Sequence, residues 1–347
     1  MDKPVVYCRI EFIEAVLEKL KTIENDTFYK DLLSFLRDKC YVIHDLTKED
    51  LSKIVEKYRT GNNTHYFVQL IKSALRGGSE LIEKPDDFIE MQENAGFFKQ
   101  ISNYIFLLGK QDKFSGNLAN DYGLVSANID TIDNLRFLFD FSLFICSPNE
   151  NLNSWNFIRS IKHPFNSLII ADNYILKDQT SFNENIIGLL NTILPEKLEK
   201  TDFHITIIVE KDTILKDNFQ NIYNIVLENI KRPYKINLSI VKVSKEKLHD
   251  RNILTSYLWI NSGYGFSFFK KGRIQGTTHI LALPYSFIKK NENKTVQYES
   301  SVFSMYNMLR EQFQDISKKA ENTKNDNNNA VVELIDYIGN KENRLFD

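Results

Sequence analysis

The sequence predicts an α/β protein: a helix-rich N-terminal α/β domain followed by a second α/β domain built on a mixed sheet. Three observations carry that expectation. The chain has 347 residues, enough to bury two hydrophobic cores. Between Ser167 and Val243, short β-branched runs alternate with helix-length segments, the rhythm of parallel strands joined by crossovers. With 25 Phe and 16 Tyr against 13 Gly and 7 Pro, the composition favours long elements with few tight turns.

Taken in order, Val5 to Ile10 reads as a strand. Glu11 to Lys21 then places Phe12, Ala15, Val16, Leu17 and Leu20 at helical spacing, and Thr27 to Arg37 repeats the pattern. Cys40 to Ile43 is a strand, leaving His44 and Asp45 as a loop pair whose ordinary reading is a satisfied histidine; His65 reads the same way. Thr47-x-x-Asp50 forms a capping box for a helix from Lys48 to Tyr58, and Tyr66 to Leu75 is a fourth helix stopped at Gly77-Gly78. Asp86 to Gly109 is helical and then continuously apolar, and Gly123 to Ala127 is a strand. Asn134 to Phe144, with Phe139, Phe141 and Phe144, has the density of core. A nuclease of the PIN type needs an Asp at the end of the first strand. The run Val5-Val6-Tyr7-Cys8-Arg9 has none there, so no metal site is expected.

The polar, Pro-containing stretch Ser147 to Asn151 marks the expected boundary, giving domains 1–148 and 149–290 and a tail of helices at 291–347. After a helix at Trp155 to Ile161 come strands Ser167 to Ala171, Phe203 to Val209 and Ile236 to Val243, separated by helices Phe182 to Leu194 and Asn218 to Ile230. In open α/β sheets, ligands collect at the carboxyl ends of the strands. That rule gathers Asp172, Asn173, Glu210, His249, Asp250 and Arg251 towards one rim. Ser256 to Trp259, Phe266 to Phe269 and Thr278 to Leu283 read as antiparallel strands, with Lys270, Lys271 and Arg273 in a basic turn. A helix from Val296 to Lys319, a polar run Ala320 to Asn329 and a short helix Val331 to Ile338 close the chain.

The run Leu248-His249-Asp250-Arg251-Asn252-Ile253 puts a His, an Asp and an Arg within three residues of a strand exit. Such groups are costly to bury without partners. They form either a phosphate-handling site, with Arg as a planar donor fork and His as a proton carrier, or an ion cluster that pins a strand end. The sequence Leu248-His249-Asp250-Arg251-x-Ile253, Trp259-x-x-x-Gly263-x-Gly265, Phe269-Lys270 resembles the C-terminal domain of microtubule-interacting-and-trafficking (MIT) proteins. Leu168 to Ile175 is similar to that family's acidic strand end, and Asn185 with Leu189-Leu190 to its next helix. The resemblance covers about Asn166 to Lys290 and implies a phospholipase-D-like fold, with Arg251, His249, Asp250, Asp172, Asn173, Gly263, Gly265 and Lys270 around a ligand. Two departures stand out. Tyr264 and Ser267 replace the family's Arg and acid. Against the catalytic His-x-Lys motif with its later Asp, Arg251 takes the Lys position and Ser256 the Asp position.

The resemblance therefore implies a binding module for a phosphate-bearing ligand: a nucleotide, a nucleic-acid end or a lipid headgroup. A phospholipase-D-like phosphodiesterase is the enzyme alternative, and it needs a homodimer to bring two His249 side chains together. A non-catalytic scaffold or partner-protein module is the third reading. The formal net charge of −2 supplies no global basic field for nucleic acid, so phosphate binding has to be local. Cys8, Cys40 and Cys146 are too widely spaced for a metal pair, and no cofactor is expected. With neither a secretory signal at Met1 to Pro4 nor an apolar run of membrane-spanning length, a cytoplasmic protein is expected. The many Asn, Lys and Ile residues point to an AT-rich, bacterial genome; a place in a bacterial antiviral defence system is a separate expectation, to be read from the gene's neighbours.

Overall fold

The computed structural model describes residues 4–23, 26–59, 66–84, 95–112, 117–150, 152–176, 179–210, 219–243, 251–284, 332–338 and 343–346. His65, Lys211, His249 and Asp250 lie outside them, as do the expected helix from Val296 to Lys319 and the polar run Ala320 to Asn329. The chain is a mixed α/β protein that divides into two compact units. Their main division falls between Phe139 and Asp140, with Asn120–Gly123 also part of the second unit.

The first unit is a five-stranded sheet of β1 (Val5–Cys8), β2 (Tyr41–His44), β3 (Glu80–Glu83), β4 (Tyr104–Leu107) and β5 (Val125–Ala127), in the order β3-β2-β1-β4-β5. Every pair is parallel, so each connection carries a helix or a long crossover. α1 (Ile10–Leu20) buries Phe12, Ile13 and Val16, and α2 (Thr27–Asp38) buries Phe28, Leu32, Phe35 and Leu36, the 3-4 spacing of one helical face. α3 (Lys48–Arg59) opens on the expected capping box. The Thr47 amide donates to Asp50 Oδ2 at 3.3 Å and the Asp50 amide to Thr47 Oγ1 at 3.2 Å. α4 (Tyr66–Ala74) ends where the Gly78 amide reaches back to the Ser73 carbonyl at 2.8 Å, with Gly77 at φ +83°, a reversal suited to glycine. His44 is not a loop residue. It ends β2, is 3% exposed and stands edge-on to Phe67, with its Nδ1 lacking a hydrogen-bond partner.

The second unit is an eight-stranded sheet in the order β15-β9-β8-β7-β10-β11-β14-β6. Its centre is the parallel trio β7 (Ser167–Ala171), β8 (Phe203–Glu210) and β9 (Ile236–Val243). β7 and β8 are buried at every position, because helices cover parallel strands joined by crossovers and leave them uniformly apolar. β10 (Asn252–Thr255), β11 (Leu258–Ser262), β14 (Thr278–Pro284) and β6 (Ser142–Cys146) add antiparallel on the β7 side, and β15 (Val332–Ile338) adds antiparallel to β9. Trp155, 1% exposed, packs under this layer against Phe268 and Phe269 at ring distances of 4.8 and 5.7 Å.

Five expectations are corrected. The boundary expected at 148 lies earlier, because Ser142–Cys146 hydrogen-bonds to β14 and so belongs to the second unit. The Asn134 to Phe144 stretch is not uniformly core: Phe139 and Phe144 are half-buried and Phe141 is 44% exposed, because β6 is the sheet's last strand. The expected helix at Val331 to Ile338 is β15; a seven-residue apolar run fits either state, and pairing with β9 decides it. Ser256 to Trp259 is not one strand, since Ser256 and Tyr257 form the turn between β10 and β11. Of Phe266 to Phe269, only Phe269 pairs, in a small hairpin of β12 (Phe269–Lys270) and β13 (Arg273–Ile274).

At that β10–β11 turn, buried His163 accepts from Thr255 Oγ1 through Nε2 at 2.8 Å while its Nδ1–H donates to the Ile161 carbonyl at 2.8 Å. Burial pushes its pKa down to about 4, and that of His204 in β8 down to about 3. Both imidazoles are thus neutral when folded but protonate near their ordinary value when unfolded. Their contribution to stability is present at neutral pH and falls away as pH drops from about 6.5 towards 4. Thermal melts should decline through that window, and His163→Gln should show a shallower decline. A melt independent of pH between 7 and 4 would contradict the assignment.

Candidate anion-binding site

β10 lies antiparallel on β7, with Asn252 opposite Ala171. That register carries the next residue outward on each strand, Arg251 and Asp172, to the same rim at the carboxyl end of the parallel trio. The sequence-based gathering of Asp172 and Arg251 therefore holds. Their roles differ from one another. Asp172 is 1% exposed. Its Oδ1 accepts from the Tyr174 amide at 2.9 Å and its Oδ2 from the Phe266 amide at 2.8 Å. It ties the exit of β7 to the loop that follows β11, satisfying two backbone donors that would otherwise be stranded.

Gly265 makes this tie possible. Its φ is +97°, and a Cβ there would sit 2.9 Å from Asp172 Oδ2 and 3.3 Å from Arg251 Cδ. A side chain would be both strained and overlapped. Gly263 has a different reason: a Cβ would fall 2.6 Å from Cε1 of His279, whose carbonyl accepts the Gly263 amide at 3.2 Å. Ser262 closes the same turn through its hydroxyl to the Gly265 carbonyl.

Arg251 is half-buried, and its guanidinium carbon stands 5.5 Å from the centre of the Tyr174 ring. Among the described residues no carboxylate takes that guanidinium. Arg9, at the end of β1 in the first unit, shows what a committed arginine looks like. Its Nε and Nη2 bond Asp112 at 2.9 Å and its Nη1 bonds Asp45 at 3.2 Å. Asp45 also accepts the Ile10 amide at the start of α1 at 3.1 Å, and Asp112 the Gly109 amide at 2.7 Å. That rim is closed by its own ion network. Arg251 instead has the Tyr174 ring to hold it in place and, among the described residues, no such ion network.

The other expected site residues are more scattered. Asn173 follows Asp172 at the rim, and Glu210, 7% exposed, ends β8. Lys270 is exposed on the β12–β13 hairpin. Asn185 clamps that hairpin, accepting the Phe269 amide at 2.8 Å and donating to the Phe269 carbonyl at 3.0 Å. His249 and Asp250, outside the described residues, precede Arg251 directly. Ser256 is placed at the opposite end of β10 from Arg251. Five residue steps, at about 3.3 Å each, put them roughly 16 Å apart. The motif position that a catalytic Asp would hold is thus on the far side of the sheet, in the turn beside buried Thr255.

Two neighbours were missed by sequence reasoning. Tyr174 was visible only as part of an apolar strand exit; its role under Arg251 depends on the β7–β10 pairing. His279 packs on Gly263 next to Tyr264, which is 65% exposed, and reaches the rim only because β14 returns beside β11. The first unit also has a cleft of about 760 Å³ lined by Glu14, Glu18, Lys21, Lys30, Arg37 and Tyr66. Its charges are mixed and largely paired, Lys21 with Glu18 and Arg37 with Asp38. Among the described residues, no three His, Cys, Asp or Glu side chains are grouped to hold a metal, and no helix is long and apolar enough to cross a membrane.

No family model matches the chain, and no curated protein matches it. Among solved structures it is similar to a mutant of yeast tyrosyl-DNA phosphodiesterase, at 13% identity and a TM-score of 0.26 over 48% of this chain and 37% of that one. Another structure of the yeast enzyme gives 11% identity and a TM-score of 0.24 over 51% of this chain and 37% of that one. The chain thus spans little more than a third of either.

The Asp172 tie is open to a direct test. Asp172→Ala would leave the Tyr174 and Phe266 amides without their acceptor, at a cost of about 2–5 kcal/mol, and should lower the denaturation midpoint of the second unit. Gly265→Ala should lower it by about 1–3 kcal/mol through its backbone conformation alone. Unchanged midpoints in both variants would show that the tie does not hold the loop.

Proposed function

We propose that the second unit is a phospholipase-D-like domain used for binding, and that its rim takes a phosphate-bearing ligand: a nucleotide, a nucleic-acid end or a lipid headgroup. The observation that carries this reading is Arg251. Its guanidinium is braced over Tyr174 at 5.5 Å beside the buried Asp172, whose oxygens are already engaged by two backbone amides. A planar fork that no carboxylate takes among the described residues, at the carboxyl end of parallel strands, matches the geometry and charge of a phosphate. Arg251 is the main anion contact in this proposal. His249 is an auxiliary donor, and Asp250 orients the arginine or a backbone amide. Binding is favoured over phosphodiester cleavage because Ser256 occupies the Asp position of the catalytic motif and stands at the other end of β10, where no residue could orient an attacking imidazole at the rim.

Calorimetric titration of the full chain with inorganic phosphate, a nucleoside monophosphate, a short single-stranded oligonucleotide and phosphoinositide vesicles tests the proposal. Binding of at least one should weaken by about 2–3 kcal/mol in Arg251→Ala, while the melting temperature stays near that of the wild type. Arg251→Lys should recover only part of the loss, since an ammonium has neither the fork nor the stacking face. A large fall in melting temperature with no change in any titration would assign Arg251 to a scaffold. Metal-independent hydrolysis of the oligonucleotide that disappears in His249→Ala would replace binding with catalysis.

A further inference from the structure

The eight-stranded sheet has two edges, and they are built differently. At one end β15 has the sequence Val-Glu-Leu-Ile-Asp-Tyr-Ile, with acids at Glu333 and Asp336, and a bulge interrupts its pairing between Leu334 and Asp336. Charges and bulges are the usual devices that keep an edge strand from recruiting another strand. At the other end β6 has the sequence Ser-Leu-Phe-Ile-Cys. It carries no charge, no proline and no bulge in its register with β14. Among the described residues no strand lies on its outer side. Leu143 is 52% exposed and Ile145 is 67% exposed. Since alternate strand residues share a face, both project from the same side of the sheet. Their β14 partners on that face, Leu281 and His279, are half-exposed and exposed.

The geometry points to a second copy of this chain as the occupant of the β6 edge, added antiparallel about a two-fold axis normal to the sheet at Leu143. The strand is self-complementary in that register. Leu143 meets the partner's Leu143, and Ile145 meets the partner's Phe141, so each exposed apolar side chain gains an apolar cross-strand neighbour. No like charges are brought face to face, as neither strand contains any. An isologous contact of this kind closes after two chains, and it uses the outward backbone groups of β6 that an edge leaves unpaired. Centred on Leu143, β6 overlaps its partner strand only over Ser142–Phe144, with Ile145 opposite Phe141 beyond it; so short a ladder is small beside standard stable interfaces, and the dimer is a reversible one whose population rises with concentration.

This arrangement has a consequence for the rim. β6 runs towards the rim that holds Arg251, because β14 runs away from it alongside β11. Antiparallel pairing therefore sets the two rims at opposite ends of one continuous sheet. The two rims that carry Arg251 do not converge in such a dimer, so on the proposed function each binds its ligand alone.

Sedimentation velocity of the full chain over a concentration series should show a monomer–dimer equilibrium. Ile145→Lys should shift it to monomer with an unchanged circular dichroism melt. Leu143→Cys gives the specific readout. Directly opposed residues in an antiparallel pair lie about 4.5–5.5 Å apart at Cα, within reach of a disulfide. Mild oxidation should yield a linked dimer, whereas Leu227→Cys, on an exposed helix position, should not. The native Cys8, Cys40 and Cys146 are buried and free, so they do not confuse the gel. A monomer at every concentration would overturn the inference. Thiol labelling of Leu143→Cys would then tell whether the edge is open or covered by another part of the chain. A dimer in which Leu143→Cys fails to link would overturn the register and the interface together.

Discussion

The pairing of β10 onto β7 is the constraint on which the second unit depends. Backbone hydrogen bonds of an antiparallel ladder fix register to the residue, because a slip by one would turn every side chain to the other face. With Asn252 opposite Ala171, Arg251 and Asp172 are carried to the same end of the sheet although they are far apart in sequence. Everything at the rim follows from that placement. Asp172 can reach the Phe266 amide, Gly265 has to be glycine where the loop crosses the carboxylate, and Arg251 comes to lie over Tyr174.

The two arginines at strand ends illustrate how similar sequences acquire different roles. Arg9 and Arg251 both stand beside a strand end with acids near in sequence or in space. Around Arg9 the acids point inward and take every face of the guanidinium, with Asp112 and Asp45 each also binding a backbone amide. Partial burial opposes the charge of Arg9, but the hydrogen bonds from those two carboxylates outweigh it and raise its pKa. Around Arg251 the acid at the same rim, Asp172, accepts two backbone amides, and no carboxylate among the described residues takes the guanidinium. The difference between the two arginines thus lies in where the carboxylate hydrogen bonds go, not in which residues are present.

The sheet's far side answers a related question about specificity of assembly. Its β15 edge carries charge and a bulge, whereas its β6 edge carries Leu143 and Ile145 in the open. Phe144 and Cys146, on the other face, turn inward, with Phe144 in contact with Phe157 at 5.6 Å. One strand therefore serves two environments, which is why a count of apolar residues over Asn134 to Phe144 overstated the core.

Much of the fold was legible in the chain itself. The capping box at Thr47 and Asp50, the helix stop at Gly77 and Gly78, and the three parallel strands before Asp172, Glu210 and Lys245 were all readable, because each rests on local spacing and short-range hydrogen bonds. Asp172 and Arg251 could be assigned to one rim from the rule that links strand ends to ligands. Tertiary structure alone decided the rest. It made Val332–Ile338 a strand, since only β9 supplies its hydrogen-bond partners. It moved the unit boundary in front of β6, whose partner β14 lies more than a hundred residues later in the chain. It tied Asp172 to two backbone amides, set Arg251 over Tyr174, and placed Ser256 at the other end of β10 from Arg251. Periodicity reports which face of an element is apolar; long-range pairing determines which distant element that face will meet.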